Sequence, residues 1–126
     1  MDYKELLEKA KTASKKAYAP YSNFKVGACL ITEDGTEFCG CNFENSSYGL
    51  TICAERNAIG TAIAEGHSKV KAIAIYSPNQ DDCTPCGACR QVLAEFQDND
   101  MDVITEINNE PKTYKLSELL PNGFKL

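Results

Sequence analysis

Hydrophobic positions recur with a helical period in three segments of the chain. Between residues 2 and 18 the apolar side chains are spaced three and four apart, which predicts an amphipathic helix that ends before Pro20. Residues 54–65 repeat this spacing and stop at Gly66, and a third helix is predicted to begin after Pro85. The positions predicted to face the core are Ala58, Ile59, Ala62 and Ile63 in the second helix and Val92, Leu93 and Phe96 in the third.

Other segments have the pattern of β-strands. Residues 25–32 and 36–43 flank Asp34-Gly35, a dipeptide that is typical of hairpin turns. Residues 70–76 form an apolar run, as expected of a central strand that is covered on both faces. The remaining predicted elements are strands at 102–107 and 112–115 and a helical turn at 116–120.

The order of these elements predicts the fold class. Helices and strands that alternate in the middle of the chain favour parallel pairing, and the early hairpin adds antiparallel pairing. We therefore expect an α/β protein with three layers, α/β/α, and a mixed sheet of about five strands. The 126 residues contain no repeat and no linker-like stretch, so 1–126 is expected to form a single domain.

Charge narrows the classes of partner. The chain has 13 basic and 18 acidic residues and a net charge of −5. A protein that binds nucleic acid needs several phosphate-neutralising cations on one face, so a nucleic-acid partner is not expected. No apolar run approaches the roughly 18 residues of a membrane span, and the charged N-terminus does not have the pattern of a signal peptide. We expect a cytoplasmic protein without a membrane partner.

Three of the seven cysteines have spacings that suit a metal ion. Their number is odd and their spacing does not indicate a disulfide framework. Cys53, Cys86 and Cys89 offer three thiolates to one zinc ion per chain, and three protein ligands leave a fourth position open for water, as in catalytic zinc sites. Glu55, two residues after the first thiolate, is a candidate proton shuttle.

Helix geometry restricts how these residues can meet. Cys86 and Cys89 share one face of a first helical turn, whereas Cys53 and Glu55 can face one ion only if Cys53 lies at or before its helix N-cap. The sequence therefore predicts that two helix N-termini converge on the metal. Three thiolates carry more negative charge than zinc neutralises, and the helix dipoles and Arg56 would offset the excess.

A four-cysteine metal site remains open at this point. Cys83 forms a C-x2-C-x2-C run with Cys86 and Cys89. Together with Cys53, that run would supply four ligands for a structural zinc ion or an iron–sulfur cluster in a non-enzymatic module. The cysteines that are expected to be small buried apolar residues along the strands are Cys29, Cys39 and Cys41.

Polar and aromatic residues indicate what binds beside the metal. Asn42 and Glu44 are two apart at the end of the second strand, so they project to one side and together suit the vicinal diol of a ribose. The loop at 18–24 is dense in aromatic residues and suits an apolar wall for a flat ring.

With these motifs in this order, the chain resembles the small cytidine deaminases of pyrimidine salvage over nearly its whole length. The segments that carry the resemblance are 18–28, 40–48, 53–56, 85–91 and 118–124. The resemblance implies zinc-dependent hydrolytic deamination of cytidine and 2′-deoxycytidine to uridine and 2′-deoxyuridine, with release of ammonia. Cys83 is not part of the family's motif, and a deaminase of another nucleoside remains an alternative.

The resemblance also implies a role for each matching residue. The three cysteines would bind zinc, Glu55 would shuttle protons to the cytosine ring, and Arg56 would touch the ligand sulfurs. A free pyrimidine nucleoside would be the substrate, and the enzyme would be a homotetramer with shared active sites. The positions implied to bind the nucleoside are Phe24, Asn42, Glu44 and Ala54, and those implied to contact a neighbouring subunit are Tyr48 and Phe124.

Overall fold

The computed structural model describes residues 3–126, so the predicted helix start at residue 2 lies outside the described residues. Helices α1 to α4 span Tyr3–Ser14, Ala54–Ala64, Gly87–Phe96 and Leu116–Leu119, and a 3₁₀ turn spans Tyr48–Leu50. Strands β1 to β5 span Gly27–Thr32, Glu37–Cys41, Val70–Tyr76, Gln97–Ile107 and Glu110–Lys115. None of the described helices combines the length and the apolar character that crossing a bilayer requires.

The five strands form one mixed sheet in the order β2-β1-β3-β4-β5. β3 and β4 pair in parallel, whereas β1 pairs antiparallel with both β2 and β3, and β5 pairs antiparallel with β4. Because β2 and β3 both run opposite to β1, they run in the same direction on either side of it, and α2 lies in the crossover that joins them. The prediction of a mixed, five-stranded sheet is confirmed.

Helices cover both faces of this sheet. On one face, Leu6 of α1 packs against Ile104 of the central sheet. On the other face, Ile59 of α2 and Leu93 of α3 share a core with Ile73 of β3. The two cores give the three layers that the element order predicts.

Most elements begin and end within two residues of the predicted positions, and α1 and β4 differ by more. α1 ends at Ser14 rather than near residue 18, because the chain leaves the helix to pair with another segment. The backbone N–H of Tyr18 donates to the carbonyl of Asn42 at 3.0 Å. β4 begins at Gln97, directly after α3 and earlier than the predicted strand at 102–107.

Two predictions of burial are wrong. Ile63 is 43% exposed, because it lies at the edge of the α2 stripe that contacts the core, next to the fully covered Ala62. Cys39 is exposed because β2 is the outermost strand at its edge of the sheet, and Cys41 on the same strand is half-buried. Cys29 on the neighbouring strand is buried as expected.

Two glycines let helices approach the sheet at backbone distance. A Cβ atom at Gly40 of β2 would lie 2.6 Å from the backbone nitrogen of Ala58 in α2. A Cβ atom at Gly27 of β1 would lie 2.0 Å from the carbonyl oxygen of Ala10 in α1. The position of α2 relative to the sheet therefore depends on the absence of a side chain at residue 40.

We predict that Gly40→Ala destabilises the protein by about 1–3 kcal/mol, the usual cost of over-packing a tight contact. The matched control is Gly60→Ala, because no atom lies within 4 Å of a Cβ built at Gly60 of α2, and alanine favours a helix over glycine by up to about 1 kcal/mol. Urea unfolding measures both variants. Equal unfolding midpoints for Gly40→Ala and the wild type would show that the close approach does not constrain the fold.

Candidate metal centre and active site

The starts of two helices carry the cysteines that were predicted to bind metal. Cys53 is the N-cap of α2 and Cys86 is the N-cap of α3, both with extended backbone angles. Cys89 lies in the first turn of α3 and is buried. The three sulfur atoms all lie within 4.8 Å of one another. The predicted convergence of two helix N-termini is confirmed, with Cys53 at the N-cap that the geometry requires.

The donor set fits a zinc ion. Zinc binds cysteine sulfur at about 2.3 Å, so one ion placed among the three sulfurs is within reach of each. A hydrogen bond from the Cys89 thiol and a second from the Arg56 guanidinium lower the pKa of Cys53 to about 5. Cys53 is thereby held as the thiolate, which is the form that binds metal. Three protein ligands leave a fourth position open.

Cys83 does not join this cluster. Within residues 3–126, the group of metal-ligating side chains that includes Cys53 contains Cys86 and Cys89 and no fourth cysteine. Burial raises the pKa of the Cys83 thiol to about 11, so this side chain is neutral. The four-cysteine alternative is therefore not supported by the geometry, although Cys83 lines the cavity beside the cluster.

Glu55 is a buried acid next to the three sulfurs. The residue is 5% exposed and lies in the first turn of α2. Burial raises the pKa of its carboxyl to about 7, and the Cys53 thiolate acts in the same direction. The backbone N–H of Glu55 itself and the nearby Cys89 side chain act in the opposite direction and lower this pKa. A carboxyl group in these surroundings can both accept and release a proton near neutral pH.

Arg56 lies behind the cluster and supplies positive charge. Its Nη2 atom is 3.5 Å from the sulfur of Cys53 and 3.4 Å from the carbonyl oxygen of Thr51. Its Nε atom is buried and has no hydrogen-bond partner among the described residues. Arg56 thus contacts the sulfur of one of the three clustered cysteines.

A cavity of about 210 Å³ opens in front of the cluster. Two of the three clustered cysteines, Cys53 and Cys86, line it. Four further residues that the sequence predicted at the site line it as well, and they are Phe24, Asn42, Ala54 and Glu55. Val26 and Thr51 also line it and were not predicted as site residues. Thr51 lies two residues before the first metal ligand, and this closeness in sequence was the available signal.

The amide of Asn42 holds the wall of the cavity in place. Its Oδ1 atom accepts from the backbone N–H of Val26 at 2.9 Å, and its Nδ2 donates to the carbonyl of Phe24 at 2.8 Å. These bonds use one donor and one acceptor position of the amide, so one N–H and one lone pair stay available to a ligand.

Asn42 and Glu44 lie in an extended segment just beyond the end of β2. Phe43 between them forms isolated bridges with Tyr18 on one side and Ile52 on the other. Residues on either side of a bridged, extended residue project to the same side, as predicted.

The Glu44 carboxylate is held at the rim of the site. It accepts hydrogen bonds from the backbone N–H groups of Tyr21 at 3.0 Å and Ser22 at 3.2 Å, and it contacts the Ser22 hydroxyl as well. These hydrogen bonds lower the pKa of Glu44, and the bond from the Ser22 hydroxyl has the largest effect. Glu44 lines a second cavity that shares Thr51 with the first, so the carboxylate lies beside the metal-site cavity rather than in it.

The two residues predicted to contact a neighbouring subunit are exposed. Tyr48 is 73% exposed, and its ring lies 5.8 Å from the ring of Tyr21 beside the Glu44 cavity. Phe124 is 68% exposed and lines a different cavity, formed by α4 and the C-terminal segment. Phe124 therefore does not reach the metal-site cavity of its own chain.

Two polar residues that the sequence did not reveal fix the loop before α3. Asp82 accepts hydrogen bonds from the hydroxyls of Thr105 at 2.7 Å and Tyr114 at 2.8 Å, which ties the loop to β4 and β5. Arg90 donates from Nε to the carbonyl of Pro85 and from Nη1 to the carbonyl of Leu119, both at 2.7 Å. The bonds to Thr105, Tyr114 and Leu119 join residues that are far apart in the sequence, so these contacts become visible only in the folded structure.

Comparison with known proteins shows the family to which this chain belongs. Residues 1–107 match the family described as "Cytidine and deoxycytidylate deaminase zinc-binding region". The chain is 44% identical to the cytidine deaminase of Sporosarcina psychrophila over 125 residues, which covers 98% of this chain and 92% of that protein. It is 45% identical to the cytidine deaminase of Halalkalibacterium halodurans over 125 residues, covering 98% and 95%.

Solved structures show the same likeness. The crystal structure of cytidine deaminase from Burkholderia pseudomallei superposes with a TM-score of 0.91 and 46% sequence identity, covering 98% of this chain and all of that one. This chain therefore has the same fold as that protein over nearly its whole length.

We predict that Cys83→Ser leaves zinc binding unchanged, whereas Cys53→Ser weakens it by more than the ~10–100-fold that is typical of changes outside the ligand set. A serine hydroxyl is a much poorer zinc ligand than a thiolate, and only Cys53 belongs to the sulfur cluster. The measurement is zinc content per chain by mass spectrometry after dialysis against a graded series of chelator concentrations. Equal zinc loss from the two variants would show that Cys83 is a ligand.

Proposed function

Because this chain belongs to the cytidine and deoxycytidylate deaminase family, we propose that it catalyses the zinc-dependent hydrolytic deamination of cytidine and 2′-deoxycytidine. The observation that carries the proposal is a buried carboxyl, Glu55, beside three convergent cysteine sulfurs at the floor of a cavity. The reaction adds water to C4 of the cytosine ring and releases ammonia, leaving uridine or 2′-deoxyuridine.

Each group of the site has a part in this reaction. Cys53, Cys86 and Cys89 hold the zinc ion, which when bound lowers the pKa of a water molecule and so activates it for attack. Glu55 is the one carboxyl group among the described residues that line the cavity. It accepts a proton from the attacking water and passes protons to N3 of the ring and to the leaving amino group. Arg56 offsets the negative charge of the thiolates through its contact with Cys53.

The walls of the cavity suit a free nucleoside. Phe24 offers an aromatic face to the flat pyrimidine, and the backbone at Ala54 borders the ring's polar edge. The free N–H of the Asn42 amide and the ionised Glu44 at the rim donate to and accept from the two hydroxyls of a ribose. A nucleoside held by its sugar hydroxyls in this way is not part of a polymer.

We further propose that the active enzyme is a homotetramer in which neighbouring chains complete each site. Large apolar side chains are unusually exposed in the segment just before Thr51, which lines the cavity, and they include Tyr48 and Leu50 at 73% and 64% exposure. Phe124 is also exposed and lies away from the metal-site cavity of its own chain, so it can pack against another chain.

In this proposal residues 1–126 form one deaminase domain. It works in the cytoplasm and returns cytidine nucleosides to the pyrimidine pool.

Deaminase activity is tested with the zinc-loaded protein and four substrates: cytidine, 2′-deoxycytidine, adenosine and a cytosine-containing nucleoside antibiotic. We expect ammonia release and the shift of the base absorbance from cytosine to uracil with both cytidine substrates, and no turnover of adenosine. Absence of turnover with both cytidine and 2′-deoxycytidine would refute the proposal, and turnover of the antibiotic alone would favour a deaminase of another nucleoside.

The variants Glu55→Ala and Glu44→Gln, measured in the same assay, distinguish the proposed roles of the two acids. Loss of Glu55 removes the proton carrier, so kcat is expected to fall by roughly two to four orders of magnitude while the zinc content stays at the wild-type level. Glu44→Gln is expected to raise KM with a smaller change in kcat, because Glu44 binds the sugar. A Glu55→Ala enzyme with wild-type kcat would rule out Glu55 as the proton shuttle.

Shared sites are tested by mixing two inactive or weakened chains. Glu55→Ala chains keep an intact Phe124, and Phe124→Ala chains keep an intact Glu55, so a mixed tetramer contains some sites with both. We expect co-expressed chains to be more active than the sum of the separate variants, and light scattering to give about four times the 13.8 kDa mass of the chain. Activity equal to that sum, or a monomeric mass, would contradict the proposed tetramer.

A further inference from the structure

Two cysteines outside the metal cluster face each other across the first hairpin. Cys29 of β1 and Cys39 of β2 are direct partners in the antiparallel register. Two backbone hydrogen bonds show which facing pairs of this ladder are hydrogen-bonded pairs. The N–H of Thr32 donates to the carbonyl of Thr36 at 2.9 Å, and the N–H of Asn42 donates to the carbonyl of Val26 at 3.2 Å.

Cys29 and Cys39 therefore form a non-hydrogen-bonded pair, the type of antiparallel pair in which the two residues are closer together. Hydrogen-bonded and non-hydrogen-bonded pairs alternate along an antiparallel ladder, so the pair of residues 29 and 39 falls between hydrogen-bonded pairs at both ends. Cα atoms in such a pair are about 4.5 Å apart, within the roughly 4.4–6.8 Å that a disulfide spans. The two sulfurs can therefore be joined without unpairing the strands.

The two thiols differ in access and in charge. Cys29 is completely covered by α1, whereas Cys39 is exposed on the edge strand. Cys39 lines a surface groove together with Lys9 of α1 and Lys16, which lies just after α1. A hydrogen bond from the Cys29 thiol lowers the pKa of Cys39, and the two lysines act in the same direction, against the opposing effects of burial and Glu37. Cys39 is thus the accessible thiol with thiolate character, and Cys29 is its buried neighbour.

We propose that Cys29 and Cys39 are a redox modification site at which hydrogen peroxide or an organic hydroperoxide forms a reversible cross-strand disulfide. The Cys39 thiolate attacks a peroxide oxygen, the O–O bond breaks, and a sulfenic acid forms on Cys39 while water (or an alcohol) leaves. The Cys29 sulfur then attacks the Cys39 sulfur, the S–O bond breaks, and a second oxygen leaves as water. The two thiols lose two electrons and two protons, and the peroxide is reduced by the same two electrons.

The site is separate from the metal centre. The groove around Cys39 and the cavity around Glu55 share no lining residue among those described. Cys39 is exposed, and exposed disulfides are the ones that small thiols reduce readily. The bond therefore forms under peroxide and is removed when a thiol reductant returns.

The test uses the zinc-loaded full-length protein with a small molar excess of hydrogen peroxide, after which free thiols are blocked with N-ethylmaleimide. Trypsin and a glutamyl endopeptidase cut after Lys25, Glu33, Glu37 and Glu44, so the two cysteines end in separate peptides, 26–33 and 38–44. We expect mass spectrometry to find these peptides joined, with the loss of two hydrogen atoms, and to find them separate after treatment with dithiothreitol.

Serine variants identify the sulfur that reacts. The matched control is Cys41→Ser, because Cys41 lies in the same peptide and its cross-strand partner is Gly27, which has no thiol. We expect the joined peptides in the wild type and in Cys41→Ser and their loss in Cys39→Ser, with equal thermal melting of the three proteins confirming that each is folded.

Three results would overturn the proposal. The first is peroxide-treated wild type in which peptides 26–33 and 38–44 remain separate while Cys39 is alkylated or oxidised beyond the sulfenic acid. The second is a joined pair that persists in Cys39→Ser, which would assign the bond to Cys41. The third is a bond between Cys39 residues of two chains, seen as a dimer on a non-reducing gel.

Discussion

Three sulfur atoms held within 4.8 Å of one another are the constraint to which the rest of the structure responds. Thiolates at such distances repel each other, and the repulsion is stronger in a partly buried site than in water. Two of them occupy N-cap positions, at the positive ends of α2 and α3. Arg56 adds a full charge 3.5 Å from the sulfur of Cys53. The protein assembles fixed positive charge around these sulfurs, and the metal completes that arrangement.

Whatever holds the two helix starts in place also holds the site. α2 is seated on β2 by the direct backbone contact at Gly40. The loop before α3 is tied to the far strands of the sheet by Asp82. The aromatic wall is tied to the segment after β2 by the amide of Asn42, which bonds to the backbone on both sides of residue 25. The sheet therefore acts as a common base to which each part of the site is fixed separately.

Much of this arrangement follows from the sequence because it depends on local chemistry. The spacing of Cys53, Glu55, Cys86 and Cys89 already requires two helix starts, and the periodic apolar runs give the elements that hold them. What the sequence did not reveal depends on contacts between distant segments. The exposure of Cys39 follows from the place of β2 at the edge of the sheet, and strand order is a property of the whole fold. The same holds for Asp82 and Arg90, each of which bonds to a residue more than twenty positions away.

The hydrogen bonds of Arg90 also impose an order of events on the assembly of the molecule. One guanidinium joins the carbonyl of Pro85, next to a metal ligand, to the carbonyl of Leu119 in the last helix. During synthesis on the ribosome, all three cysteines emerge about thirty residues before this last helix does. A nascent chain therefore holds the complete set of ligands for a time in which the loop that carries them lacks its final tether. Maturation of the metal loop finishes only when the end of the chain has folded back upon it.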